Sequence, residues 1–194
     1  RRRSRNRWKH LIRLVYTARH EERLQYGDTV HLLKPNIKRS RGTLRDLQFI
    51  RWLGFIVHGE AEPVTLQRLG AITPEDYRIL RNARDFLLQL RNELHFHAGK
   101  PQDVLNRFEQ VRIAEKQGYQ SNDETLAVEQ FMQHYFDHIS QVRYTVTHFF
   151  QSCRPERWSS RLSLPGFVRR LDGKFRMGPY SIGALPNQLD SIRR

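Results

Sequence analysis

The sequence predicts an all-α fold, an antiparallel helical bundle with a basic N-terminal helix and an irregular C-terminal tail. Two observations lead to this fold class. Several long segments carry apolar residues at steps of three and four, and signals that start or stop helices stand between them. With 38% hydrophobic residues in 194, the chain can bury a core, and long amphipathic helices joined by short ones pack most simply as a bundle.

The first predicted element is a basic helix over residues 1–26, in which apolar residues recur with a helical rhythm from Trp8 onward. Residues 1–45 contain 14 Lys or Arg against 3 Asp or Glu. Residues 46–153 contain 11 against 14, and residues 154–194 contain 9 against 3. The net charge of +14 therefore lies in the two flanks, where it would meet phosphates, nucleic acid or acidic surfaces of other domains.

Residues 27–153 form the predicted bundle, and its clearest helix lies near the middle of the chain. Thr73 is placed as the N-cap of that helix, Pro74 at its first position and Gly99 at its C-terminal end. An earlier helix is expected to start directly after Thr43. Together these start and stop signals divide the bundle into separate helices of ordinary length.

Two later helices are expected over residues 102–117 and 123–152. The long helices carry apolar residues in a pattern that predicts one buried stripe on each. The stripes are Leu80, Ala83, Leu87, Leu90 and Leu94 on the middle helix, and Phe131, Tyr135, Ile139, Val142, Val146 and Phe149 on the last.

The remaining residues, 154–194, lack this periodicity. They hold four of the eight prolines and four of the eleven glycines, with only short apolar runs. Proline and glycine at this density interrupt regular structure. We therefore expect a loosely structured or hairpin-like tail that leads to a further domain of a longer protein.

Several classes of protein are disfavoured by the sequence. No stretch approaches the roughly 18 to 20 apolar residues of a membrane span, and RRRSRNRWKH lacks the apolar core of a signal peptide. The single cysteine, Cys153, cannot form an internal disulfide, which favours a cytoplasmic protein. No nucleotide-binding glycine motif, zinc-protease motif or paired-aspartate signature occurs, so no catalytic residue is predicted.

The stretch KPNIKRSRGTLRDLQ, residues 34–48, is the strongest candidate site. Backbone N–H groups at the start of the following helix could hold phosphate, since they are donors at the positive end of a helix dipole. The competing interpretation is a capping pair, in which Thr43 and Asp46 satisfy those donors. Residue chemistry favours capping and leaves anion binding open. The residues that would face a phosphate or a neighbouring domain are Lys38, Arg41, Gly42 and Arg45.

Histidines offer a weaker alternative. His95 and His97 lie two residues apart on a predicted helix and so point about 200° away from each other. His134 and His138 lie one turn apart, but a solvated polar face explains such a pair more simply than a metal does. No metal site is predicted.

Four stretches stand out further: YGDTVHLLKPNIKRSRGTLRDLQ, LRNELHFHAGKPQDVL, QVRIAEKQGY and AVEQFMQHYF. In order and spacing they resemble the helical segment that follows the nucleotidyltransferase core in the bacterial PII-protein uridylyltransferase family. The resemblance spans roughly residues 20–150. Its most diagnostic piece is similar to a PNIK…GGLRD signature that glutamine synthetase adenylyltransferase also carries. This chain departs from it at Thr43, where a second glycine is usual.

The resemblance implies a helical domain of an enzyme that transfers UMP from UTP, with Mg²⁺, to a tyrosine of the PII protein in nitrogen signalling. The catalytic nucleotidyltransferase core, an HD domain for removal and glutamine-sensing domains would lie elsewhere in the parent protein. The fragment alone is predicted to be inactive and to contain no cofactor. Two alternatives remain: a basic helical nucleic-acid-binding module, which the scattered cations make less favoured, and an adaptor that only docks partner domains.

Overall fold

The computed structural model describes residues 2–27 and 31–154 and the backbone of three short strands between residues 169 and 184; of residues 2–6 it gives only the helical backbone. The chain forms two compact units, Arg1–Cys153 and Arg154–Arg194. The first unit consists of helices, which confirms the predicted all-α class. None of the described helices is long and apolar enough to cross a bilayer.

Six helices make up the first unit. Their bounds are α1 Arg2–Tyr26, α2 Leu44–His58, α3 Pro63–Arg68, α4 Pro74–Ala98, α5 Arg107–Lys116 and α6 Ala127–Ser152. The predicted signals of α4 are confirmed, because the Thr73 hydroxyl accepts from the Asp76 N–H in a capping box and Gly99 ends the helix in the left-handed conformation.

The starts of α5 and α6 lie later than predicted. Residue 104 pairs with Asn36 in an isolated β-bridge, so the chain before α5 is extended and Asn106 becomes the N-cap. Before α6, the Asn122 side chain accepts from the Thr125 N–H at 2.7 Å and forms a turn. Local side-chain and long-range backbone hydrogen bonds thus replace the first turn of each predicted helix.

The core lies around α6, which contacts α2, α4 and α5. Both predicted stripes, on α4 and on α6, are buried throughout their length. The two helices run antiparallel, since Thr145 late in α6 donates to Asp76 early in α4, and Phe86 stacks on His138 between them. The predicted antiparallel packing of the long helices is therefore confirmed.

The second unit contains three strands, β1 Arg169–Leu171, β2 Phe175–Gly178 and β3 Ser181–Ala184. They pair antiparallel in the order β1-β2-β3. This arrangement agrees with the hairpin-like alternative for the tail. The irregular structure predicted for the rest of 154–194 falls mainly on residues outside the described part of the chain.

Candidate functional site

The candidate loop connects α1 to α2 and is held against the segment before α5. The Leu105 N–H donates to the Pro35 carbonyl at 2.9 Å, and the Ile37 N–H donates to the Asp103 carbonyl at 2.8 Å. Ile37 is completely buried and joins the core between α4 and α6. The loop is therefore part of the packed domain, although its composition is that of a surface turn.

Within the loop, side chains of Asn36 and Ser40 fix the backbone. The Asn36 Oδ1 atom accepts from the N–H groups of Lys38 and Arg39, at 3.1 and 2.9 Å. The Ser40 hydroxyl accepts from the Asn36 N–H and donates to the carbonyl of Tyr26 at the end of α1. These hydrogen bonds within the protein fix the backbone path of the loop.

Asp46, in the first turn of α2, is the centre of the hydrogen-bond network that holds the loop, and it has no solvent exposure. Its Oδ1 atom accepts from Arg19 Nε at 2.8 Å and from Arg23 Nη2 at 2.6 Å, and its Oδ2 atom accepts from the Gly42 N–H at 2.6 Å. Burial by itself would raise the pKa of Asp46, but the charges and hydrogen bonds of Arg23 and Arg19 outweigh it and hold the pKa below its usual value. The carboxylate is thus ionised and shared by two helices.

Arg19 extends this network into the loop backbone. Its Nη1 atom donates to the Arg39 carbonyl at 2.9 Å and its Nη2 atom to the Ser40 carbonyl at 3.0 Å. The Thr43 hydroxyl donates to the same Ser40 carbonyl at 2.6 Å. One guanidinium from α1 therefore joins the Asp46 carboxylate to two carbonyls of the loop.

The predicted capping box at Thr43 is not formed. Thr43 occupies the N-cap position of α2, yet its side chain makes no capping hydrogen bond. Asp46 turns toward the two arginines and Gly42 instead of toward the Thr43 N–H, because there its carboxylate gains two positively charged donors as well as a backbone N–H. Thr43 has φ −104° in the extended region, so the residue that departs from the glycine of the signature needs no glycine here.

The first-turn donors of α2 are already bonded within the domain. The Leu44 and Arg45 N–H groups donate to the carbonyls of Ile37 and Lys38, and the Asp46 and Leu47 N–H groups donate to the Thr43 carbonyl. A phosphate held by backbone N–H groups would have to break these bonds. The geometry at the start of α2 therefore favours a structural turn over a phosphate-binding site.

Gly42 lies where the loop crosses α6. Its φ is +80°, a conformation that side chains with a Cβ rarely adopt, and a Cβ built there would lie 2.2 Å from the Ile139 carbonyl oxygen. Arg41 beside it is buried. Two of the predicted site residues, Gly42 and Arg41, are therefore parts of the interior.

Lys38 and Arg45 reach the surface, together with Arg39, and keep 30–37% of their side chains exposed. Glu22 of α1 forms ion pairs with three arginines. Its carboxylate binds Arg19 at 2.9 Å and lies 3.7 Å from Arg39 Nε and 3.6 Å from Arg45 Nε. Cations thus outnumber the carboxylates on this outer face of the loop. That face can attract an anionic partner.

A model of the GlnD PII-uridylyltransferase family matches residues 11–150. The chain belongs to this family. It is 34% identical over 160 residues to a bifunctional uridylyltransferase/uridylyl-removing enzyme of Erythrobacter litoralis, an alignment covering 82% of the chain and 17% of that enzyme. Enzymes of the same name from Pseudomonas syringae pv. syringae and Legionella pneumophila are 38% and 39% identical over 62% and 61% of the chain, each covered to 14%. No solved structure shows a significant match.

The chain thus spans about a sixth of the length of these GlnD-family relatives. The family match includes the loop and its partners on α1 and α6. Sequence reasoning found the loop but missed Arg19, Arg23 and Glu22. The burial of the two arginines could have been predicted from their spacing. Arg19 and Arg23 follow the buried Ile12 by two and three helical turns and so lie on the face of α1 that the domain covers.

The four histidines weighed as metal ligands in this GlnD-family domain contact other side chains, His138 by stacking on Phe86. Three pairs are formed, namely His95 Nε2 with Asp103 at 3.2 Å, His97 Nδ1 with Glu109 at 2.7 Å and His134 Nδ1 with Tyr119 at 2.7 Å. Among the described residues, no group of three or more His, Cys, Asp or Glu side chains could hold a metal. Burial raises the pKa of the Cys153 thiol to about 11, which keeps it protonated near neutral pH.

Proposed function

We propose that this chain is the helical domain of a PII uridylyltransferase-like enzyme and acts as a scaffold beside its catalytic domains. The observation that carries the proposal is that Arg19, Arg23 and Gly42 bind both Asp46 oxygens, within the residues that the family model matches. A carboxylate with these partners stabilises the fold and is poorly placed to bind catalytic Mg²⁺.

The parent protein would transfer UMP from UTP, with Mg²⁺, to the regulatory protein PII in the cytoplasm. The relatives are named as bifunctional uridylyltransferase/uridylyl-removing enzymes, and the chain spans only about a sixth of their length. On this proposal a nucleotidyltransferase core and an HD domain supply the catalytic groups. The basic helix over residues 1–26 and the bundle over 27–153 would then adjoin those domains.

Lys38 and Arg45 are proposed to face a neighbouring domain, with contact to a triphosphate as the second possibility. Support comes from the partial exposure of both side chains and from the number of cations near each carboxylate. Arg45 shares Glu22 with two other arginines, and Lys38 lies 3.9 Å from Asp103, which Arg91 also binds. The bonded first-turn N–H groups of α2 favour the domain interface over a phosphate cradle. Arg41 and Gly42 would serve this interface indirectly, by holding the loop in place.

The scaffold proposal predicts that the purified 194-residue chain is folded but does not turn over UTP. Circular dichroism would establish the helices, and release of pyrophosphate from Mg²⁺–UTP would be measured with PII present. Turnover above that of a blank purification would contradict the proposal.

A second experiment uses the full-length parent protein with Lys38→Gln and Arg45→Gln together. Removing both charges is expected to loosen the domain interface, so that limited proteolysis between domains becomes severalfold faster while the fold of each domain is kept. Arg81→Gln, at an exposed position on α4, is the matched control. Unchanged proteolysis of the double variant would reject the interface.

The nucleic-acid-binding alternative rests on the basic flanks. It predicts that the chain binds duplex DNA at physiological salt and that affinity falls steeply as salt rises. The scaffold proposal predicts only weak, non-specific binding in the same titration.

A further inference from the structure

Two arginines flank one carboxylate on the outer face of the loop. The Glu22 Oε1 atom lies 3.7 Å from Arg39 Nε and 3.6 Å from Arg45 Nε. Because both distances end on the same oxygen, the two guanidinium groups are close enough for one small anion to contact both. We call these two residues the Arg39–Arg45 pair. Both distances exceed the usual N–H···O length of about 2.7–3.2 Å, so Glu22 attracts the pair without forming a hydrogen bond to it.

Uncharged partners orient each arginine of the pair. The Arg39 guanidinium lies over the Tyr26 ring, 4.8 Å from its centroid, and donates to the Tyr26 hydroxyl. Arg45 Nη1 donates to the Gln48 Oε1 atom at 2.7 Å, about one turn further along α2. These partners position the guanidinium groups and leave their charges in place. Since 37% of the Arg39 side chain and 30% of the Arg45 side chain are exposed, an anion can reach the pair from solvent.

The carboxylates next to the pair are shared with further arginines. The other oxygen of Glu22 binds Arg19 at 2.9 Å. Asp46, the second carboxylate that binds Arg19, is itself shared with Arg23. The charge of Glu22 is thus divided among three arginines, and a further anion beside the Arg39–Arg45 pair would be attracted.

We propose that the Arg39–Arg45 pair binds a carboxylate contributed by an adjoining domain of the parent protein. This inference rests on the domain interface proposed above and names the chemical group that crosses it. Guanidinium groups present paired donors that fit the two oxygens of a carboxylate. A phosphate fits less well, because its additional negative charge would lie beside Glu22 and because the N–H groups of Leu44 and Arg45 are already bonded.

The first test follows the arginine Nε–H signals of the 194-residue chain by NMR, assigned with Arg39→Gln and Arg45→Gln. Sodium acetate replaces sodium chloride at constant ionic strength, so that only the kind of anion changes. The two signals should shift together and saturate, and either substitution should weaken acetate binding at the remaining arginine severalfold. Arg84 is the control, because it already pairs with its neighbour Asp85 at 2.9 Å and its signal should move little. No saturable shift at Arg39 and Arg45 would overturn the proposal, whatever the interface variants show.

Glu22→Gln separates anion binding from a purely structural role of these ion pairs. Removing a negative charge about 4 Å from the bound anion should tighten acetate binding by about fivefold. In the full-length parent protein, Glu22→Gln should slow proteolysis between domains, whereas Arg39→Gln with Arg45→Gln should make it severalfold faster. If the three side chains only stabilised the loop, all of these substitutions would loosen it. Faster proteolysis with Glu22→Gln would therefore contradict the proposal.

Two further comparisons identify the source of the anion. Inorganic phosphate that binds the pair more than about tenfold tighter than acetate would exclude the carboxylate as the occupant. Acetate binding combined with unchanged proteolysis of the doubly substituted parent would exclude the adjoining domain as its source. Because the acetate titration needs no other domain, its outcome is independent of the scaffold proposal. Melting curves followed by circular dichroism would show that each variant keeps its fold.

Discussion

Replacing Gly42 by alanine should destabilise the domain by at least about 3 kcal/mol, the sum of a left-handed backbone and a forced overlap in the core. The added Cβ would lie 2.2 Å from the Ile139 carbonyl oxygen and 2.9 Å from its carbon. Because both neighbours are backbone atoms of α6, no rotamer change can relieve the contact. Thermal unfolding followed by circular dichroism is expected to show a midpoint lower by roughly 10 °C.

Gly59→Ala is the matched control for this substitution. Gly59 also has a positive φ, +77°, at the end of α2, but no atom lies within 4 Å of a Cβ built there. Its loss should be only about 1 kcal/mol, the ordinary cost of a left-handed residue other than glycine. Equal losses at both positions would show that contact with α6 does not explain the need for Gly42.

Replacing Asp46 by asparagine should cost about 3 to 5 kcal/mol, because Arg19 and Arg23 would lose the buried, charged carboxylate that they share. Both arginines are buried, Arg19 with 2% and Arg23 with 8% of the residue exposed. Urea unfolding would measure the loss. Asp85→Asn is the control, since Asp85 pairs with Arg84 and both side chains are more than half exposed; it should change stability by less than about 0.5 kcal/mol.

The loss of stability caused by Asp46→Asn should depend on pH. The pKa of Asp46 is lowered in the folded state, where Arg23 and Arg19 outweigh the effect of burial. Its contribution to stability is therefore complete above the unfolded pKa of about 3.9 and is lost as the pH falls through the lower folded pKa. The stability gap between wild type and Asp46→Asn should be constant near neutral pH and should narrow in acid. A gap that grows on acidification would contradict the ionised carboxylate.

Much of the helical architecture follows from local sequence signals. Thr73, Pro74 and Gly99 specify the ends of α4 through interactions within one helical turn. The stripes on α4 and α6 follow from a period that any amphipathic helix must show, and every predicted member is buried. Local chemistry and tertiary packing agree in these segments, so the sequence pattern is enough.

The hydrogen bonds that hold the loop between α1 and α2 could not be predicted from local sequence signals. Thr43 and Asp46 have the spacing of a capping pair, but the partners that decide the orientation of Asp46 lie on α1, Arg19 being 27 residues away. The need for Gly42 comes from Ile139 on α6, which is still more distant in sequence. Spacing from Ile12 can indicate that Arg19 and Arg23 lie on the covered face of α1, but a single sequence does not show that Asp46 meets them or that Ile139 lies against Gly42.

We infer that the Asp46 carboxylate holds the arginines of α1 and is not a ligand of a metal or a nucleotide. Carboxyl-carbon NMR of the 194-residue chain, with Mn²⁺–UTP as a paramagnetic probe, tests this claim directly, and Asp46→Asn assigns the signal. The Asp46 resonance should titrate below the usual aspartate pKa of about 3.9 and should keep its width and position when Mn²⁺–UTP is added. Selective broadening of that resonance at low Mn²⁺–UTP concentrations would contradict the claim.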